Sequence, residues 1–346
     1  AYGIDAVKDS TNNVNKGVTT GLGSLTVSTA GDNNPGGQAY GINADANGGT
    51  GTTANYVGGL TTVSVTAFDA EARGINATGG DSTAHNSVNE VNMTGALTVT
   101  AENDGRGDSG DAYGVNADAY GSNKVEGVTD IKAEKSGTDL KYNAYAVKAS
   151  GTEAVNTINE TAKGDKGSVT AITDNGAAYA IDATEGGTNT LGGVTSVEAK
   201  GTTGASGINA NTNSVNTVAM NGNLTAKSTG TEGAYPVYAV NAHNSSTNNV
   251  TGTKNITATD TYGNAYGINA TEGSTNNVNK DVTETLGDMT VSSDNGTAYG
   301  ITANACSTTI NKPTTNNVGG LGKVTVTSTE DTATGINAAG GNADNL

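Results

Sequence analysis

The sequence reads as an all-β chain: a single-stranded parallel β-helix (β-solenoid) of about ten coils, each of roughly 33 residues with three short strands. Three observations lead there. The motif A-Y-G-I-N-A, with variants, starts at Ala1, Ala39, Ala72, Ala112, Ala144, Ala178, Ala205, Val237, Ala265, Ala298 and Ala333. Its spacing varies from 27 to 40 residues, as expected when strands keep register and corner loops change length. Composition supplies the third. With 51 Gly, one Phe, no Trp and 34% hydrophobic residues, the chain cannot fill a thick core, whereas a thin, repeated core suits it. Three Pro and 15% charged residues are too few for a charged, Pro-rich disordered tail. The expected organisation is one continuous domain over residues 1–346, roughly 50 Å long at ~4.8 Å per coil.

The first strand is the motif itself. Its first, fourth and sixth positions are almost always Ala, Ile/Val and Ala. The second accepts Arg73, Ser206 and Thr334, and the fifth accepts Asp5, Lys148, Asp182 and Thr302. The conservative set is expected inside and the tolerant set in solvent, with the Gly at position three bending the strand. Ala146, Ala180 and Ala239 replace that Gly, so the bend needs no glycine-only conformation. Ile42, Ile75, Ile208, Ile268 and Ile336 should then form one internal stack.

The second strand carries Asn-x-(Val/Ile/Leu), read as beginning at Asn12, Asn55, Asn86, Asn123, Asn156, Asn189, Asn213, Asn248, Asn276 and Asn316. Asn side chains one coil apart bond amide to amide, so these ten are expected to form a structural ladder. The third strand alternates apolar and polar residues, as in Leu25-Thr26-Val27 and Val324-Thr325-Val326. From ladder Asn to third strand the spacing runs 13, 8, 11, 8, 13, 8, 11, 8, 13, 8. That pattern implies duplication of a four-coil unit, with a corner that bulges in alternate coils.

Charge removes whole classes of partner. Seventeen basic against 34 acidic residues give a net charge of −17, and the only arginines are Arg73 and Arg106. Nucleic acid requires clustered Lys/Arg, and none exists. The apolar runs are a few residues long, so this segment inserts into no membrane as a helix. Cys306, the single cysteine, makes neither an internal disulfide nor a zinc site alone. The chain opens and stops inside a repeat. It therefore reads as an excerpt that continues into neighbouring coils or stacks end to end.

The cycle of AYGIxA, then N-x-V, then LTVTA resembles the passenger domains of Gram-negative autotransporter adhesins, the pertactin-like right-handed β-helix class. The resemblance covers essentially the whole chain. It implies an extracellular or cell-surface location, with a membrane β-barrel anchoring the full-length protein in the outer membrane. The expected function is a non-enzymatic adhesin or structural rod, acting in attachment or self-association. Its partners would be a host-cell or matrix receptor, a glycan, or copies of itself. Alternatives are a filament-forming matrix protein, an ice-binding solenoid and a polysaccharide-acting β-helix enzyme.

Candidate binding residues fall in two places. Tyr2, Tyr40, Tyr113, Tyr145, Tyr179, Tyr238, Tyr266 and Tyr299 occupy the outward second position, forming a partly exposed aromatic ribbon. Arg106, Gly107 and Asp108 lie in the longest repeat, after its third strand, and match the cell-attachment tripeptide of fibronectin-like matrix proteins. In that resemblance Arg106 meets an acidic pocket and Asp108 completes a metal site on an integrin. No catalytic, cofactor or metal residues are assigned. His85 and His243 stand in distant repeats, and Asp69, Glu71 and Arg73 read as a solvated ion-pair group. Outward Thr pairs on the third strand, such as Thr98/Thr100, suggest an ice-ordering face. Lys132/Glu134, Glu198/Lys200 and Lys227 interrupt it.

Overall fold

The structure, a computed structural model, describes residues 1–29, 37–102, 110–137, 142–160, 167–230, 235–305, 313–340 and 343–346. Every regular element among them is a strand. The strands lie in two sheets of 11 and 18 strands, and their ladders are parallel. This all-β, parallel arrangement is the one a solenoid requires.

The 11-stranded sheet takes one strand from each motif, in sequence order from Tyr2–Val7 to Ala333–Ala339. Its register matches motif position to motif position. Ile4, Ile42, Ile75, Val115, Val147, Ile181, Ile208, Val240, Ile268, Ile301 and Ile336 form one row; of the predicted internal stack Ile42, Ile75, Ile208 and Ile268 are buried, whereas Ile336, in the last strand of the sheet, is exposed. Ladder pairing skips motif position three. A Cβ on Gly41 would sit 2.5 Å from the Gly74 carbonyl and 2.9 Å from Val65. Position three therefore faces the third strand, and two consecutive residues point inward. Ala146, Ala180 and Ala239 fit there fully buried.

The 18-stranded sheet contains the second and third strands together. Separate strands were expected, but Thr53–Phe68, Thr188–Gly201 and Val215–Ser228 each run unbroken through both places. All three have the eight-residue spacing from ladder Asn to third strand, but four other repeats with that spacing, such as Ser87–Met93 and Leu97–Glu102, keep two strands. Two of these long strands join the two ladders, and their pairings close into a ring of eight strands. Val57, Val91, Val125, Ile158, Leu191 and Val218 of this sheet pack against the isoleucine row in one continuous core.

Two of the ten assigned ladder residues are corrected. The rungs in the third and seventh repeats are Asn89 and Asn216, not Asn86 and Asn213. Asn55 pairs with Asn89, which pairs with Asn123, and Asn189 pairs with Asn216, which pairs with Asn248. Asn86 and Asn213 lie three residues earlier, at the corner, where Asn213 takes a left-handed φ of 58°. With the true rungs the spacing to the third strand runs 13, 8, 8, 8, 13, 8, 8, 8, 13, 8. The bulge comes every fourth repeat, not every second.

That bulge explains a sequence feature of the next repeat. Gly58-Gly59, Gly192-Gly193 and Gly319-Gly320 each follow a 13-residue spacing. A Cβ on Gly58, Gly192 or Gly319 would lie 2.3–2.4 Å from the carbonyl oxygen of Asn15, Asn159 or Asn279, the residue that opens the preceding long corner. Gly192→Ala is expected to destabilise the protein by on the order of 3 kcal/mol, since backbone must move. Gly23→Ala, with nothing within 4 Å of the new methyl, should stay within about 0.5 kcal/mol. Chemical denaturation of the two variants distinguishes them.

Candidate functional site

The Asn ladder comes first because it fixes the surface above it. Each rung uses both amide hydrogens. One goes to the Oδ1 of the next Asn, at 2.8–3.0 Å from Asn12 through to Asn345. The other goes to the backbone carbonyl at motif position five of the same repeat, at 2.6–2.8 Å for the rungs from Asn12 to Asn316. Rungs from Asn55 to Asn316 have no exposed surface. A buried amide with both donors satisfied stabilises, whereas one left open costs about 1–3 kcal/mol.

The outer face of the 11-stranded sheet carries the predicted tyrosines in register. They stack in groups: Tyr2 on Tyr40, Tyr113 on Tyr145 on Tyr179, and Tyr238 on Tyr266 on Tyr299, with ring centroids 4.8–5.1 Å apart. The ribbon is interrupted every fourth repeat, at Arg73, Ser206 and Thr334. It is also less open than expected, because Tyr113 and Tyr145 are buried. Burial pushes the phenols of Tyr113, Tyr145, Tyr238 and Tyr266 up, and those of Tyr40 and Tyr179 to about 12. These six are neutral donors at physiological pH.

Motif position five forms a second amide ladder beside the tyrosines. Asn43, Asn76 and Asn116 donate back toward Asp5, and Asn209, Asn241 and Asn269 donate back toward Asp182, at 2.7–2.9 Å. This position faces outward as expected, yet Asn43, Asn76, Asn116, Asp182 and Asn269 are buried rather than solvated. The two runs stop at Lys148 and at Thr302. Asn116 Oδ1 and Thr302 Oγ1 are left buried without a hydrogen-bond partner.

Cations occupy this face in the first half of the chain. Arg73 lies between Tyr40 and Tyr113, 5.7 and 5.0 Å from their centroids, and pairs with Glu71 at 2.7 Å and Asp118 at 3.2 Å. Its side chain is only 18% exposed, so this ion pair is enclosed, not solvated as expected. Asp69 does not share its face, because a left-handed φ of 50° turns the chain there. Lys148 lies over Tyr113 and Tyr145. Four repeats on, the equivalent positions are Ser206 and Asn269, and a groove of about 400 Å³ opens. It is lined by Tyr238, Asn241, His243, Asn269, Thr271 and Glu272, with Asn211 and Asn304 from the flanking repeats. His243 Nδ1 hydrogen-bonds Thr271 Oγ1 at 2.6 Å, and its Nε2 stands 3.7 Å from Glu272. Sequence reading named His243 but gave it no company; the motif register, which sets it beside Thr271, was the available signal.

Other assigned residues are placed differently. Arg106, Gly107, Asp108 and Cys306 lie outside the described residues. His85 pairs with Asp81 at 2.6 Å in another repeat. On the third strand Thr26, Ser64 and Thr98 share a row, which Lys132 and then Glu198 interrupt. Among the described residues no group of three or more His, Cys, Asp or Glu could hold a metal ion.

Asn216→Ala should cost about 3 kcal/mol, because it orphans the Asn189 amide, the Asn209 carbonyl and Asn248 Oδ1. Asn213→Ala should cost less than about 1 kcal/mol, reading out only its left-handed corner. Equilibrium denaturation of the pair decides the ladder assignment. A second expectation concerns Asp182, fully buried, whose carboxyl burial pushes up against the opposing effects of Asn209 and Lys148. The folded state then holds the proton more tightly than the unfolded chain. Its stabilising contribution is full below the unfolded value of ~3.9 and is lost as pH rises through the folded value. Asp182→Asn, the residue at this position in seven of the other motif copies, should raise stability at pH 7 by roughly 1–2 kcal/mol and not at pH 3. Melting at both pH values tests it.

No family model matches the chain, and neither a curated protein nor a solved structure was found to resemble it. Its function is argued from the surface just described.

Proposed function

We propose that the repeats are ten full coils of one continuous single-stranded parallel β-helix, and that this rod is a non-enzymatic adhesin or structural element. It works outside the cell or at a bacterial surface, in the manner of the autotransporter passengers its repeats resemble. One observation carries the reading. Outward residues of one kind recur in rows about 5 Å apart, as the stacked tyrosines do. A single weak contact is thereby offered many times, and multivalency converts weak contacts into avidity. A net charge of −17 keeps such an elongated surface soluble. The partner is a host-cell or matrix receptor, a glycan, or another copy of the rod. The ice-binding alternative is weaker, because charged residues break the Thr rows in the central repeats.

Beads coated with the protein should attach saturably to cultured epithelial cells, or aggregate with one another, above the level of a charge-matched control protein. Absence of both overturns the reading. Asp108→Glu, which keeps the charge, should lower integrin-dependent attachment if the Arg106-Gly107-Asp108 tripeptide contributes. Unchanged attachment assigns adhesion to the rest of the rod.

A further inference from the structure

We propose that the groove beside Tyr238 is a binding site for an uncharged oligosaccharide; this deepens, and rests on, the reading of the chain as a binding rod. The duplicated four-repeat unit provides an internal control. In the earlier unit Arg73 is clamped between tyrosine rings and Lys148 lies over them, occupying the corresponding surface. In the later unit the equivalent residues are the short Ser206 and Asn269, and Asn269 lines an open groove of about 400 Å³, a volume in the range of small-ligand sites.

The lining selects the ligand class. Asn241, Asn269, Thr271, His243 and Tyr238 provide both donors and acceptors, as the hydroxyls of a sugar require. Neither Lys nor Arg lines the groove, and its one formal charge is Glu272. An anionic ligand is therefore repelled there, by Glu272 and by the acidic rod as a whole. A flat apolar ligand lacks apolar walls to bury it. Glu272 keeps a left-handed φ of 53° at the corner, which brings its carboxylate to the His243 side of the groove.

The test uses calorimetry with cellohexaose, chitohexaose and a mannohexaose, and a heparin hexasaccharide as the anionic counterpart. At least one uncharged hexasaccharide should bind saturably, with one site per chain, and heparin should not. Ser206→Arg combined with Asn269→Lys restores the cations of the earlier unit, without the carboxylates that pair with Arg73 there, since the equivalents of Glu71 and Asp118 are Gly204 and His243. Affinity should fall at least tenfold while the melting curve is kept. No saturable binding of any uncharged hexasaccharide, binding of heparin instead, or affinity unchanged in the Ser206→Arg/Asn269→Lys protein overturns the proposal. The bead-attachment assay is read separately, so a rod that adheres without binding these sugars loses only the groove assignment.

Discussion

The double hydrogen bond of each ladder Asn is the constraint on which the other features rest. One amide hydrogen reaches the next repeat and the other reaches the first strand of its own repeat. The same group therefore sets the stacking register and closes the corner. From motif position five to the Asn that bonds it, the chain covers as few as 7 residues and as many as 14. The bond hardly changes, so the loop between is free to vary. Few side chains substitute. Asp has no donor, Ser has one, and Gln places its amide a methylene too far. The ladder also has polarity. Its amides donate toward the C-terminal end, whereas those at motif position five donate toward the N-terminal end, so the two rows of dipoles oppose one another.

The four-repeat period follows from a single corner. In repeats one, five and nine, five extra residues leave the second strand at Asn15, Asn159 and Asn279, each with φ near 50°. The following repeat must clear that backbone, and it does so with paired glycines. The preceding repeat must meet it. Asn159 accepts from the Gly127 N–H and donates to the Val128 carbonyl, and Asn279 accepts from the Thr253 N–H and donates to the Thr253 carbonyl. Gly127 and Gly252 take left-handed conformations at those corners. Three of the four repeat types are thus accounted for by one loop. The tyrosine interruptions keep the same period without touching that corner, and we have no physical account of their phase.

Much of this was legible in the sequence, for definite reasons. Inward positions repeat because each must fit the same neighbour above and below, so Ile42, Ile75 and Ile208 announce their stack. The ladder was misread only at Asn86 and Asn213, where two overlapping Asn-x-Val frames both fit. Constancy of spacing resolves them: Asn89 and Asn216 restore eight residues to the third strand and send Val91 and Val218 into the core. Fusion of second and third strands was not legible, since it depends on backbone pairing that no side-chain pattern records. The groove was hidden for another reason. It arises from what two positions lack, and it becomes visible only when the units are compared residue by residue.

Invariant inward positions and free outward ones divide the labour in this chain. The core tolerates little change, because every side chain has the same partners one repeat away in both directions. Outward positions pair only along rows, so a substitution there alters the surface and spares the frame. Arg73 against Ser206, and Lys148 against Asn269, are such substitutions. They convert a face covered by half-buried cations into an open one without Lys or Arg, while leaving the ladder, the isoleucine row and the long corners in place. A repeated chain can thus differ in surface from unit to unit by a change of side chains alone, and grooves of this kind are to be sought where one unit departs from its copy on the outer face.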